Sequence, residues 1–123
     1  MPAKILVADD DPDVLFMTAF TLRQLGGYDV IEASNGQDAL DLSMRHQPAL
    51  LVLDVQMPRM TGYEVCRHVR EHTTLREMPV ILLSAKGQPL EIKEGHDAGA
   101  TLYMLKPYAP QQLVEEVGKL IKL

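Results

Sequence analysis

Four short apolar runs along this chain each end on a polar residue. The run from Lys4 to Ala8 meets Asp9, Asp10 and Asp11; Leu50 to Leu53 meets Asp54; Val80 to Leu83 meets Ser84; Leu102 to Leu105 meets Lys106 and Pro107. Continuous apolar runs of this length, bounded by turn residues, read as strands buried on both faces of a parallel sheet. Tyr28 to Ala33 reads as a short second strand in chain order, and the third extends over Ala49 to Leu53. Helical stretches separate them. Asp11 and Pro12 look like an N-cap followed by proline at the first helical position, and that helix runs to about Leu25 before stopping at Gly26 and Gly27. Ser34, Asn35 and Gly36 turn into a helix through about Arg45. Thr61 can cap a helix from Gly62 to about Glu71, with Val65, Cys66 and Val69 on one face. Pro79 opens the fourth strand, and a short helix from Pro89 ends near Asp97, weakened by Gly95 inside it. Pro110 opens the last helix, with Leu113, Val114, Val117, Leu120 and Ile121 as its apolar stripe. Strict alternation of strand and helix predicts an α/β fold with a parallel sheet covered on both faces.

In an open parallel sheet, ligands bind outside the carboxyl ends of the strands. If all four runs lie in one sheet, Asp9, Asp10, Asp54, Ser84 and Lys106 meet at one edge. Crowded carboxylates repel one another and call for a cation, and an oxygen-only set with open positions suits Mg²⁺. Lys106 adds a positive charge and Ser84 a hydroxyl donor. Together these groups describe a trap for a dianionic group. The central carboxylate can itself be the nucleophile of aspartyl-phosphate chemistry, which needs little beyond positioning and charge neutralisation.

Composition narrows the partners. Asp and Glu number 17 against 12 Lys and Arg, a formal net charge of -5 that argues against autonomous nucleic-acid binding. The single cysteine, Cys66, excludes an intrachain disulfide and reads as a small buried hydrophobe, in keeping with a reducing cytosol. Neither a signal-peptide pattern at Met1 to Lys4 nor an apolar run long enough to cross a bilayer is present, so a cytoplasmic protein is expected.

The stretches KILVADDDPDV, LLVLDVQMPRMTG, PVILLSA and AGATLYMLKPY, in this order, resemble a response-regulator receiver domain of bacterial two-component signalling. The resemblance covers residues 1–123 as a single domain and implies a flavodoxin-like (βα)5 fold with strand order 2-1-3-4-5. It implies Asp54 as phosphoacceptor, Asp10 as a direct Mg²⁺ ligand, Asp9 acting through water, and the backbone carbonyl of Gln56 completing the metal sphere, with Mn²⁺ able to substitute. Ser84 matches the switch hydroxyl, Lys106 the lysine before a cis proline, and Tyr103 the switch aromatic that turns inward as Ser84 moves. The implied donor is a sensor histidine kinase or histidine phosphotransfer protein. The implied output is a protein partner that reads the face built from the fourth helix, fifth strand and fifth helix, on a monomer or a phosphorylation-dependent dimer. No turnover enzyme is implied.

Some positions depart from the family's pattern. Thr101 and Leu102 stand where acidic residues often precede the aromatic, and Gln56 and Lys86 occupy variable positions that tune phosphoryl lifetime. His68 and His72 lie one helical turn apart without a third ligand, and Arg59, Arg67, Arg70 and Arg76 read with Glu64 and Glu71 as a solvated, paired surface. Three alternatives remain open: a receiver fold used as an adaptor without phosphorylation, a receiver excised from a DNA-binding regulator or hybrid kinase, and an aspartate-nucleophile phosphatase. Gln56, where such phosphatases carry a second acid, weighs against the last.

Overall fold

Parallel strands cannot be joined by tight turns, so each strand of this chain is followed by a crossover helix. In a computed structural model describing residues 2–121, the elements are β1 (Lys4–Ala8), α1 (Pro12–Gln24), β2 (Asp29–Ala33), α2 (Gly36–His46), β3 (Leu50–Asp54), α3 (Gly62–Glu71), β4 (Val80–Ser84), α4 (Pro89–Asp97), β5 (Leu102–Leu105) and α5 (Pro110–Ile121). Of the expected domain 1–123, Met1, Lys122 and Leu123 lie outside the described residues. The sheet is fully parallel with order β2-β1-β3-β4-β5, as expected. β3 begins and ends one residue later than the apolar run suggests, so Asp54 itself closes the strand, opposite Leu83 of β4.

Strand alternation divides the core between the two faces. Leu6, Ala8, Leu51, Leu53 and Leu82 pack on one side with Ala39 and Leu40 of α2 and Val65, Cys66 and Val69 of α3. Ile5, Val7, Leu50, Val52, Ile81 and Leu83 face the other way, against Leu15, Ala19 and Leu22 of α1 and Leu113 and Val117 of α5. Cys66 is fully buried, and burial pushes its thiol pKa up, which suits an inert core residue. Among the described residues, no helix is long and apolar enough to cross a membrane.

The caps follow the sequence. Asp11 accepts from the amides of Asp13 and Val14 at 2.9 and 3.3 Å, with Pro12 opening α1. Thr61 and Glu64 form a reciprocal capping box on α3. Gly62 sits where a Cβ would lie 2.5 Å from the carbonyl oxygen of Asp54, so only glycine lets α3 start this close to the end of β3.

Two expectations need correction. The arginines do not form a uniformly solvated surface paired with Glu64 and Glu71. Arg70 donates to the carbonyls of Gly99 (2.8 Å), Arg76 (3.0 Å) and Met78 (2.6 Å) and to Thr101 Oγ1 (3.3 Å), stitching α3 to the loops before β4 and β5. Arg67 faces Glu94 at 3.7 Å, while Glu64 caps its own helix. Gly95 is also not simply a weak point in α4, because a Cβ there would lie 2.6 Å from Cδ2 of Tyr103, whose ring occupies the space. The glycine is what close packing on that ring requires. Replacing Arg70 by Met keeps the aliphatic packing and removes the charge-assisted bonds; a loss of about 2 kcal/mol in urea unfolding, with an unchanged denaturant slope, is the expected outcome.

Candidate functional site

Sheet register gathers the polar residues. Ala8 pairs with Leu53 and Ser84 with Leu105, so Asp9, Asp54, Ser84 and Lys106 emerge together beyond the carboxyl ends of β1, β3, β4 and β5. All of them, with Asp10 and Gln56, line one pocket. Asp9 and Asp54 are only 4% and 8% exposed, whereas Asp10 is open to solvent. Asp9, Asp10 and Asp54 each offer a carboxylate oxygen, all within 4.8 Å of one another. Lys106, preceding a cis peptide bond to Pro107, places its ammonium 2.8 Å from Asp54 Oδ1 and 3.2 Å from Asp9 Oδ2. Asp9 Oδ1 also accepts from the amide of Asp11 at 3.0 Å.

Burial is the largest influence on Asp54 and pushes its carboxyl pKa above the ordinary 3.8; Lys106 opposes the shift, while Asp9 and Asp10 add to it. Burial pulls the Lys106 ammonium down, but its hydrogen bond to Asp54 and the charges of Asp54 and Asp9 prevail and raise its pKa. Three carboxylates against one ammonium leave the pocket with excess negative charge in partly dry surroundings. An all-oxygen acidic set of this kind fits a hard divalent cation such as Mg²⁺. Among the described residues, it is the one cluster of acids and histidines close enough to share an ion. His68 is exposed, and His72 accepts from the Thr74 amide at 3.2 Å.

Ser84 is buried, and its Oγ accepts from the amide of Lys86 at 3.0 Å. That contact uses a lone pair and leaves the hydroxyl proton for an acceptor in the pocket. Tyr103 lies outside the pocket, half-buried, and donates to the carbonyl of Lys86 at 2.9 Å. The Lys86 backbone thus joins Ser84 to Tyr103. This connection was invisible in the sequence, because it uses peptide groups rather than the lysine side chain.

A second feature went unread. On α1, Phe16, Met17 and Phe20 are 61%, 56% and 47% exposed, and the two phenylalanine rings stack with centroids 6.0 Å apart. The signal was present: α1 carries apolar residues on its outer side as well as along Leu15, Ala19 and Leu22, more than one core-facing stripe needs. Met17 lines a groove with Pro107 and Tyr108, and that groove shares Val14 and Lys106 with the acidic pocket.

Comparison with known proteins places this geometry. The family described as Response regulator receiver domain matches residues 5–118. Over 122 residues the chain is 35% identical to the alkaline phosphatase synthesis transcriptional regulatory protein PhoP of Bacillus subtilis, covering 99% of this chain and 50% of that protein. The chain spans about half the length of the curated relatives it matches. The solved chemotaxis response regulator CheY4 of Vibrio cholerae aligns with a TM-score of 0.90 at 32% identity, over 98% of this chain and 99% of that one. The receiver domain of sensor histidine kinase PA1611 from Pseudomonas aeruginosa, solved with a magnesium ion coordinated in its active site cleft, aligns with a TM-score of 0.92 at 25% identity over 100% of both chains.

The electrostatics predict a stability effect. A carboxyl whose pKa is raised by folding favours the folded state when protonated, and that stability is lost as pH rises from the unfolded value through the folded one. Asp54→Asn is therefore expected to raise the urea midpoint at pH 7 in metal-free buffer. The gain should shrink as pH falls and vanish below the ordinary 3.8, where the wild-type carboxyl is protonated in both states.

Proposed function

We propose that this chain, which belongs to the response regulator receiver domain family, accepts a phosphoryl group on Asp54 from a phosphohistidine donor and thereby changes the partner it binds. The observation that carries the reading is the Lys106 ammonium held 2.8 Å from a buried Asp54 carboxylate, with Asp9 and Asp10 alongside. In the transfer, an Asp54 carboxylate oxygen bonds to phosphorus as the P–N bond of the donor breaks, its electron pair returning to the imidazole. Lys106 offsets the charge on Asp54 and the arriving phosphoryl oxygens, and the Ser84 hydroxyl donates to one of them. Asp10, Asp54 and the Gln56 carbonyl, with Asp9 beside them, would hold Mg²⁺, or Mn²⁺ in its place, and the ion would supply further charge neutralisation.

Phosphorylation adds roughly two negative charges and strong acceptor oxygens. Attraction of Ser84 toward them draws on the Lys86 backbone and hence on Tyr103. The face of α4, β5 and α5 then becomes the output surface, where Leu90 and Leu105 are exposed apolar side chains for a partner or a second copy. The donor, a sensor histidine kinase or a histidine phosphotransfer protein, is read as approaching over α1. There the Phe16, Met17 and Phe20 patch continues into the pocket through the groove lined by Val14 and Lys106. Residues 1–123 are taken as one receiver unit, free-standing or within a longer regulator. A receiver is a signalling module rather than a conventional enzyme.

Incubation with acetyl phosphate and Mg²⁺ followed by intact mass measurement tests the acceptor. A single phosphoryl adduct is expected, absent from Asp54→Asn and without metal. No adduct at short times, and no beryllofluoride-induced NMR change, leaves the adaptor reading. Phe16→Ser combined with Phe20→Ser should slow transfer from a phosphohistidine protein at least tenfold, an effect of about 1.4 kcal/mol or more, while labelling by acetyl phosphate is unchanged. Equal slowing with both donors would reject the α1 approach.

A further inference from the structure

Tyr63 of α3 and Tyr103 of β5 bring their hydroxyls within 3.4 Å of each other. Each also donates to a carbonyl near the start of α4: Tyr63 to Glu91 in its first turn at 3.2 Å, and Tyr103 to Lys86 in the loop before it at 2.9 Å. Two hydroxyl protons therefore serve three contacts. The ring of Tyr103 lies against the α4 backbone, with its Cδ2 and Cε2 2.6 and 3.1 Å from where a Cβ on Gly95 would be, and Leu82 bounds the same space. The aromatic is held by a bare helix backbone, a loop carbonyl and a second tyrosine hydroxyl.

We propose that Tyr63 is a positioning residue of the switch, its hydroxyl combining with the Gly95 backbone to seat the Tyr103 ring and tie the first turn of α4 to it. The proposal rests on the reading of Tyr103 as the switch aromatic and adds α3 to the elements that control it. Were Tyr63 merely a packing residue, its ring would suffice and its hydroxyl would be dispensable. The contacts argue otherwise, because Glu91 belongs to α4 and Lys86 carries the link to Ser84. Moving Tyr103 changes which acceptor each hydroxyl proton serves, so the position of α4 and the orientation of Tyr103 are set together. Burial, and then Tyr103 itself, push the Tyr63 hydroxyl pKa up, so it remains a donor across the working pH range.

Tyr63→Phe isolates the hydroxyl. In solution NMR of the chain, the NOE between the Tyr103 ring and the α protons of Gly95 should fall to less than half its wild-type intensity. Amide exchange across α4 (Pro89–Asp97) should quicken several-fold while α2 is unaffected. An unchanged NOE together with unchanged α4 exchange overturns the proposal. Gly95→Ala provides a second reading, since the added methyl should displace the Tyr103 ring and shift its aromatic resonances; a ring still lodged against residue 95 in that variant also overturns it. Both measurements are made without phosphorylation. A wild-type chain that takes no phosphoryl group from acetyl phosphate would remove the Asp54 reading and leave the seat intact. Normal labelling with an unperturbed Tyr103 in Tyr63→Phe would remove the seat alone.

Discussion

The ammonium of Lys106 between Asp9 and Asp54 is the contact on which the carboxyl edge of the sheet depends. Two nearly buried carboxylates that close would otherwise repel one another in a medium of low effective dielectric. The counter-charge must come from β5, at the sheet edge, and cross β4 to reach β3 and β1. Neighbouring strands are about 4.8 Å apart, so β5 lies on the order of 10 Å from β3, and the long lysine side chain and the aspartate side chains close that gap from both ends. A single ammonium still leaves the three-acid cluster under-compensated. Burial first, and then the charges of Asp9 and Asp10, raise the pKa of Asp54 against the opposition of Lys106.

Strand order makes the contact possible. With β1 beside β3, Asp9 and Asp10 emerge next to Asp54, and with β4 beside β3, Ser84 emerges on its other flank. The start of α3 must then clear the end of β3, and Gly62 allows it by leaving no Cβ against the Asp54 carbonyl. A side chain there would push α3 outward and move the loop carrying Gln56. The glycine belongs to the site although it contributes no functional group.

Buried parallel strands are legible in a sequence because both faces must be apolar, so Leu50 to Leu53 and Val80 to Leu83 announce themselves. The site was legible for the same reason: polar residues at the ends of such runs can only gather at one edge. What escaped is carried by backbone acceptors and by long-range contacts. Arg70 among Glu64, Arg67 and Glu71 looks like any solvated helix cation, and its acceptors are carbonyls as far as 29 residues away. Carbonyls have no sequence signature. Lys86 drew attention for its charge, yet its peptide group does the joining. Gly95 registered as a helix breaker because helix propensity is local, while the ring that needs the space comes from β5. The outer apolar residues of α1 are ambiguous in sequence for another reason: periodicity shows that a helix has an apolar stripe, not that a second one is left uncovered.

The way α4 is held differs from the rest of the molecule. α1, α2, α3 and α5 each bury apolar side chains in one of the two cores, whereas Gly95 is the one buried residue within α4. Its N-cap residue, Gln88, makes no side-chain capping bond, unlike Asp11, Asn35 and Thr61. Large apolar burial changes little when a ring rotates, but a hydrogen bond is lost within a few tenths of an ångström. A helix held by the Tyr63 hydroxyl at Glu91, the Arg67–Glu94 pair and a ring on its bare backbone therefore depends on the exact placement of those groups. The elements gripped by Leu22, Val69 or Leu113 do not. That contrast marks α4 as the helix with the least apolar burial, and the loop leading into it carries the Lys86 backbone that links Ser84 to Tyr103.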